Sequence, residues 1–140
     1  MKELSPTLKE FCEKQELLRL AYTDAKGYPH VLPLWFVVMH DDYYVGTGTS
    51  NAKWKAIKRD PRVGWVIDGG GKGSYKGASM HGRAEEVTDQ NERSLIHRWL
   101  GIKYLGSADS PKLKEIYGES DDAETVYIRL KSEGGISWDY

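Results

Sequence analysis

The residues best suited to chemistry in this 140-residue chain lie between Tyr43 and Asp68, in the run YYVGTGTSNAKWKAIKRDPRVGWVID. It reads as a strand, a Thr/Ser-rich corner, a short basic helix and a second strand. The corner, Thr47-Gly48-Thr49-Ser50, offers hydroxyls and backbone N–H groups where the helix begins, and Thr49 and Ser50 would at the least cap that helix. Lys53 and Lys55 follow within the first turn or so. Cations there face the positive pole of the helix dipole, which disfavours them by a few tenths to ~1 kcal/mol. A phosphate or similar anion held at the helix start removes or reverses that cost. The placement therefore points to a phosphorylated ligand. Residues two apart are separated by about 200° around a helix, so Lys53 and Lys55 cannot both face one phosphate. Lys53 is the candidate, and Lys55 with Lys58 and Arg59 reads as a solvated face.

Other candidates carry less. The glycine-rich GGGKGS at residues 69–74 invites a nucleotide-loop reading, but that loop needs Ser or Thr directly after its lysine and a helix behind it. Gly73 follows Lys72 instead, and a strand pattern comes next, so a mobile hairpin is expected. His30, His40, His81 and His97 show no metal-ligand spacing and have no cysteine cluster to join them, so no metal site is expected. No nucleophile-elbow sequence is present, and no catalytic side chain is assigned. Cys12, the single cysteine, rules out an internal disulfide and fits a reducing compartment.

The elements that must position the corner can be read from pattern. Ser5-Pro6 has the form of an N-cap followed by proline at the first helical position, and Leu8, Phe11 and Cys12 then fall on one helical stripe. Residues 17–23 read as a strand and residues 24–27 as a hairpin turn. In residues 30–39 both alternating sets are largely apolar: Leu32, Leu34, Phe36 and Val38 on one face, Val31, Trp35, Val37 and Met39 on the other. Both faces must therefore be covered. Pro33 cannot donate to a ladder, which favours an edge or a bulge and makes this strand a candidate binding wall. Further strands are expected at residues 43–48, 62–68, 74–87, 124–131 and 135–138, with a helix over residues 51–59. A second helix starts at a capping box of Asp89 and Glu92, with Leu95, Ile96, Trp99 and Leu100 as its apolar stripe. A third starts at Ser110-Pro111 and carries Leu113, Ile116 and Tyr117.

Composition bounds the answer. With 39% hydrophobic and 29% charged residues, the chain suits one soluble domain over residues 1–140. A net charge of −1 gives no general attraction to nucleic acid or acidic membranes. No apolar run approaches the roughly 18–20 residues needed to span a bilayer. The N-terminal MKELSPTLKEF lacks the apolar core of a secretory signal, so a cytoplasmic protein is expected. Hairpin-length connections make the sheet mainly antiparallel, and about six strands suggest a closed or partly split barrel.

The segments GYPHVLPLWFVV, TGTSNAKWKAIKRDPRVGWVID and YKGASMHGRAEEV, with the closing GGISWDY, resemble the split-barrel flavin-binding proteins related to pyridoxamine 5′-phosphate oxidase. The similarity runs over about residues 17–87. It implies a mainly β (β plus α) fold, a six-stranded antiparallel split β-barrel with short flanking helices. It also implies a homodimer that holds FMN, or the related deazaflavin coenzyme, in clefts between subunits. The family's phosphate-binding hydroxyls and lysine would fall on Thr47, Thr49, Ser50 and Lys53. The strand whose backbone lies along the isoalloxazine would be Leu32, Pro33, Leu34 and Trp35, and Trp138 of the final strand would approach the cofactor. The oxidase itself is longer and has further substrate-phosphate residues not found here. The resemblance is closer to the flavin or deazaflavin reductase branch, which has a segment like Tyr104-Leu105-Gly106. The activity implied is hydride transfer through flavin N5 to or from a small molecule. A deazaflavin-dependent reductase, or a non-enzymatic flavin- or haem-binding module, is the alternative.

Overall fold

Capping side chains start the helices where the sequence supplies them. Ser5 Oγ accepts the Leu8 N–H at α1 (Pro6–Glu13), Asp89 accepts that of Glu92 at α3 (Gln90–Leu105), and Ser110 accepts that of Lys112 at α4 (Pro111–Tyr117). The computed structural model describes residues 4–140, so Met1, Lys2 and Glu3, which begin the stretch read above for a secretory signal, lie outside the described residues. One further helix, α2 (Ala52–Arg59), follows the Thr/Ser corner. The strands are β1 (Leu18–Thr23), β2 (Pro29–Leu34), β3 (Val37–Met39), β4 (Asp42–Gly48), β5 (Arg62–Gly71), β6 (Ser74–Val87) and β7 (Thr125–Asp139). All pair antiparallel in the order β2-β1-β5-β6-β7-β4-β3.

This is the mainly β split-barrel architecture, with seven strands in place of six. The apolar run at residues 30–39 is not one strand. It breaks at Trp35 and Phe36, and its halves, β2 and β3, occupy opposite edges of the ladder. Two residues thus carry the chain across the seam of the barrel. Conversely, the two closing strands are one, β7, which runs on through a register shift opposite His81 and Gly82. A Cβ at Gly82 would collide with the Lys131 carbonyl, so the shift requires glycine there. The segment at residues 69–74 is a tight hairpin, with β5 and β6 paired to Gly71 and Ser74.

Two cores result. The barrel interior packs Leu18, Leu20, Phe36, Val45, Trp65, Ile128 and Leu130 against Leu8 and Cys12 of α1 and Trp54 and Ile57 of α2. On the outside of β3, β4 and β7, a second cluster packs Val37, Tyr44 and Tyr127 under Ile96, Leu100, Leu113 and Tyr117 of α3 and α4. The expected helical stripes were too wide: Leu95, Trp99 and Ile116 are exposed, because only a narrow face of each helix meets the sheet. The outer face of β2-β1-β5-β6 and the end of β7 has no covering element among the described residues. Cross-strand register puts Val31, Val66, Tyr75, Ile136, Trp138 and Tyr140 on that face, and Val31, Ile136 and Tyr140 are 67%, 68% and 82% exposed.

Candidate cofactor site

The Thr/Ser corner is held from both sides. Gly48 pairs with Thr125, Thr49 N–H donates to the Glu124 carbonyl (2.9 Å), and Asn51 N–H donates to the Gly48 carbonyl (3.1 Å). The cap of α2 is Asn51, whose Oδ1 accepts the Lys53 N–H at 3.0 Å. This corrects the expectation that Thr49 and Ser50 cap the helix, which begins one residue too late for them. Both are exposed, and among the described residues neither hydroxyl enters a hydrogen bond. Thr47 is buried, on the inward face of β4 with Tyr43 and Val45.

Lys53 follows the cap and is only 7% exposed. Trp54 and Ile57 draw α2 into the barrel core and carry Lys53 down with them, while Lys55, Lys58 and Arg59 stay in solvent. Its ammonium pairs with no carboxylate and donates to no acceptor among the described residues, and desolvation alone pushes its pKa down. Partial desolvation without a partner disfavours the charged form. An anion at the corner would remove that cost, and the unengaged hydroxyls of Thr49 and Ser50 lie four and three residues before Lys53 in the chain.

The strand β2 forms one rim of the sheet. Leu32 and Leu34 sit opposite Leu20 and Leu18, and Pro33 opposite Arg19. Only one side of β2 is paired, so its other side presents backbone groups to an incoming partner. Helix α2 packs against β1, the neighbour of β2, and Arg59 in its last turn donates to the Thr23 carbonyl. Trp35 is half-buried with its indole stacked on the Tyr104 ring, centroids 4.4 Å apart and planes within 2°. Trp138 stands elsewhere. The pairing runs from Trp138 through Gly77 to Asp68, with β1 still between β5 and β2, a separation of roughly 19 Å at strand spacing. Its indole lies over Gly77, where a Cβ would come within 2.8 Å of the ring, and Tyr75 stacks on it. One chain therefore keeps Thr47, Thr49, Ser50 and Lys53 at the corner between β4 and α2, residues 32–35 at the β2 rim, and Trp138 apart from β2.

Sequence reasoning passed over Asn51, although Asn directly before a helix is itself a cap signal. It also left Lys103 and Tyr104 without a structural role; their partners are distant backbone atoms, which no local pattern reveals. A cleft of about 650 Å³ lies elsewhere, lined by Lys9, Asp41, Tyr43, Met80 and Glu133, with Lys9 and Asp41 paired. Among the described residues no group of three or more His, Cys, Asp or Glu could hold a metal ion. Nor is any described helix long and apolar enough to cross a membrane.

A family model described as pyridoxamine 5′-phosphate oxidase matches residues 4–139. The chain belongs to that family. None of the curated proteins matches it in sequence. Among solved structures, it is similar to the conserved hypothetical protein Rv2991 from Mycobacterium tuberculosis, with 22% identity and a TM-score of 0.83 over 98% of this chain and 86% of that one. An FAD-binding protein from Mesorhizobium loti aligns with 22% identity and a TM-score of 0.72 over 98% and 96% of the two chains. An F420 reductase aligns with 19% identity and a TM-score of 0.73 over 95% and 98%. At these identities the likeness shows the fold.

Proposed function

We propose that this chain holds FMN between two copies of itself and acts as an oxidoreductase on a small molecule. The observation that carries the reading is Lys53, whose side chain is largely buried and whose ammonium has no partner among the described residues, at the start of a helix preceded by the unengaged hydroxyls of Thr49 and Ser50. The FMN phosphate would meet Lys53, Thr47, Thr49, Ser50 and the first N–H groups of α2. Backbone groups on the open side of β2, at Leu32, Pro33, Leu34 and Trp35, would bond the polar edge of the ring. Trp138 would come from the second copy, since within one chain it stands too far from β2. The exposed apolar outer face supports such a homodimer. Bound flavin supplies hydride transfer at N5; the protein supplies position and electrostatics. We assign no general acid or base. The buried Cys12 accords with a reducing, cytoplasmic setting.

FMN ranks ahead of the deazaflavin coenzyme because the anionic tail of the latter calls for a basic groove beyond Lys53. Lys76, one of two lysines that could extend it, sits 3.7 Å from the Asp139 carboxylate and over the Phe11 ring. Side-by-side titration of the purified protein with both cofactors tests this, with mass spectrometry of any ligand released from native protein. FMN binding with yellow absorbance is expected, and Lys53→Ala should weaken it by about 1–3 kcal/mol. Unchanged FMN affinity in that variant would remove the assignment. A bound cofactor that stays oxidised when mixed with reduced nicotinamide or other donors would convert the enzyme reading into a storage module.

A further inference from the structure

The step from β2 to β3 poses a backbone problem. Because those strands lie at opposite edges of the ladder, Phe36, between them, has no sheet neighbour for its N–H and C=O. Yet Phe36 is fully buried, where unpaired backbone groups are costly. The last turn of α3 answers both groups. Tyr104 Oη accepts the Phe36 N–H at 2.9 Å, and its own proton has two carbonyl acceptors, Glu16 at 2.8 Å and Phe36 at 3.1 Å. Lys103 Nζ donates to the carbonyls of Phe36 (3.1 Å) and Glu13 (3.0 Å) and sits 3.6 Å above the Phe36 ring. Trp35, the residue before, lies flat on the Tyr104 ring. Two adjacent side chains thus tie together the end of α1, the connection to β1 and the seam.

We infer that Tyr104 and Lys103 are positioning residues for the cofactor: by locking the seam at Phe36 they fix the backbone of residues 32–35 that faces the ring. This rests on the reading of β2 as the ring-binding strand. A side chain that merely filled space would leave the register of β2 to the ladder with β1. Here the bonds go to the main chain of the residue that adjoins the proposed contact, and the Trp35 indole is stacked on Tyr104.

Tyr104→Phe keeps the ring on Trp35 and removes the hydroxyl; Lys103→Met keeps the stem and removes the ammonium. Hydrogen exchange by mass spectrometry on the ligand-free variants, FMN titration and the absorption spectrum of bound FMN are the readouts. We expect about tenfold faster exchange over residues 35–37 with β6 and β7 unchanged, about tenfold weaker FMN binding, and shifted flavin bands. Wild-type exchange at that segment overturns the inference. So does faster exchange with wild-type FMN affinity and spectrum, which would leave the pair a lock without a bearing on the cofactor. If Tyr104→Phe does not fold, Lys103→Met decides on the same readouts. A wild-type protein that takes up neither FMN nor deazaflavin overturns the functional reading and the positioning role together, a result distinct from losses confined to the variants.

Discussion

Lys53 was conspicuous in the sequence because a cation in the first turn of a helix opposes the dipole, and that local anomaly survives any uncertainty about the fold. What the sequence could not tell is that its neighbours Trp54 and Ile57 would pull it below the surface. Cys12 makes a contrasting case. It lies fully buried, and burial pushes its thiol pKa up to about 11, so the reactive thiolate is scarce at neutral pH. Native protein should therefore resist thiol reagents such as dithiobis(nitrobenzoate), with one equivalent reacting only in denaturant. Rapid native labelling would show that α1 opens readily. Asn51 was readable and was passed over in favour of two hydroxyls next to it. Tyr104 and Lys103 were not readable, because both answer a main-chain need more than sixty residues away in sequence.

At the scale of elements, most boundaries followed from caps, turns and alternation. The exceptions share a cause. Residues 30–39 alternate without a polar break, so pattern alone cannot separate one strand from two that meet across a seam. The stripe on α3 looked wide because Leu95 and Trp99 are apolar, but the small area of sheet beneath it admits only Ile96, His97, Leu100 and Gly101. The cap of α2 gives a direct check: Asn51→Ala should destabilise the protein by about 0.5–2 kcal/mol in urea unfolding, whereas a loss below that range would mean that Thr49 or Ser50 takes over. The last turn of α3 gives a pH-dependent one. Burial lowers the Lys103 pKa to about 8, below its unfolded value, so the unfolded chain holds more protons between those two pH values. The Lys103 contribution to stability is therefore present above the unfolded pKa and lost as pH falls through about 8. Subtracting the pH profile of Lys103→Met from that of the wild type should leave a rising difference over that window; a flat difference would place the ammonium in water.

For the whole molecule, the outer face of the sheet is where the proposed homodimer would form. Its aromatic and aliphatic residues are spread over β2, β6 and β7, an arrangement that a lone chain leaves wet. Replacing Val31 and Ile136 together by Asp should shift the mass measured by light scattering from dimer to monomer and lower FMN affinity with it. A wild-type protein that binds FMN as a monomer would show that Trp138 has no part in the site. The need for cover on both faces of residues 30–39 could be read from their alternation; α3 meets it at Val37 and Trp35, and Val31 stays exposed. Which strands form the uncovered face could not be read, because it depends on the long-range order of the ladder.

The place of β7 has one more result. It lies between β6 and β4, bonding to β6 over most of its length and to β4 over Thr125–Leu130, yet it comes last of the seven strands in the chain. Until it leaves the ribosome, the hairpins made before it carry bare edges that can join the wrong neighbour. Order should then arrive in a single late step, and nascent chains arrested ahead of Thr125 should be digested by protease as readily as a polypeptide with no fold at all.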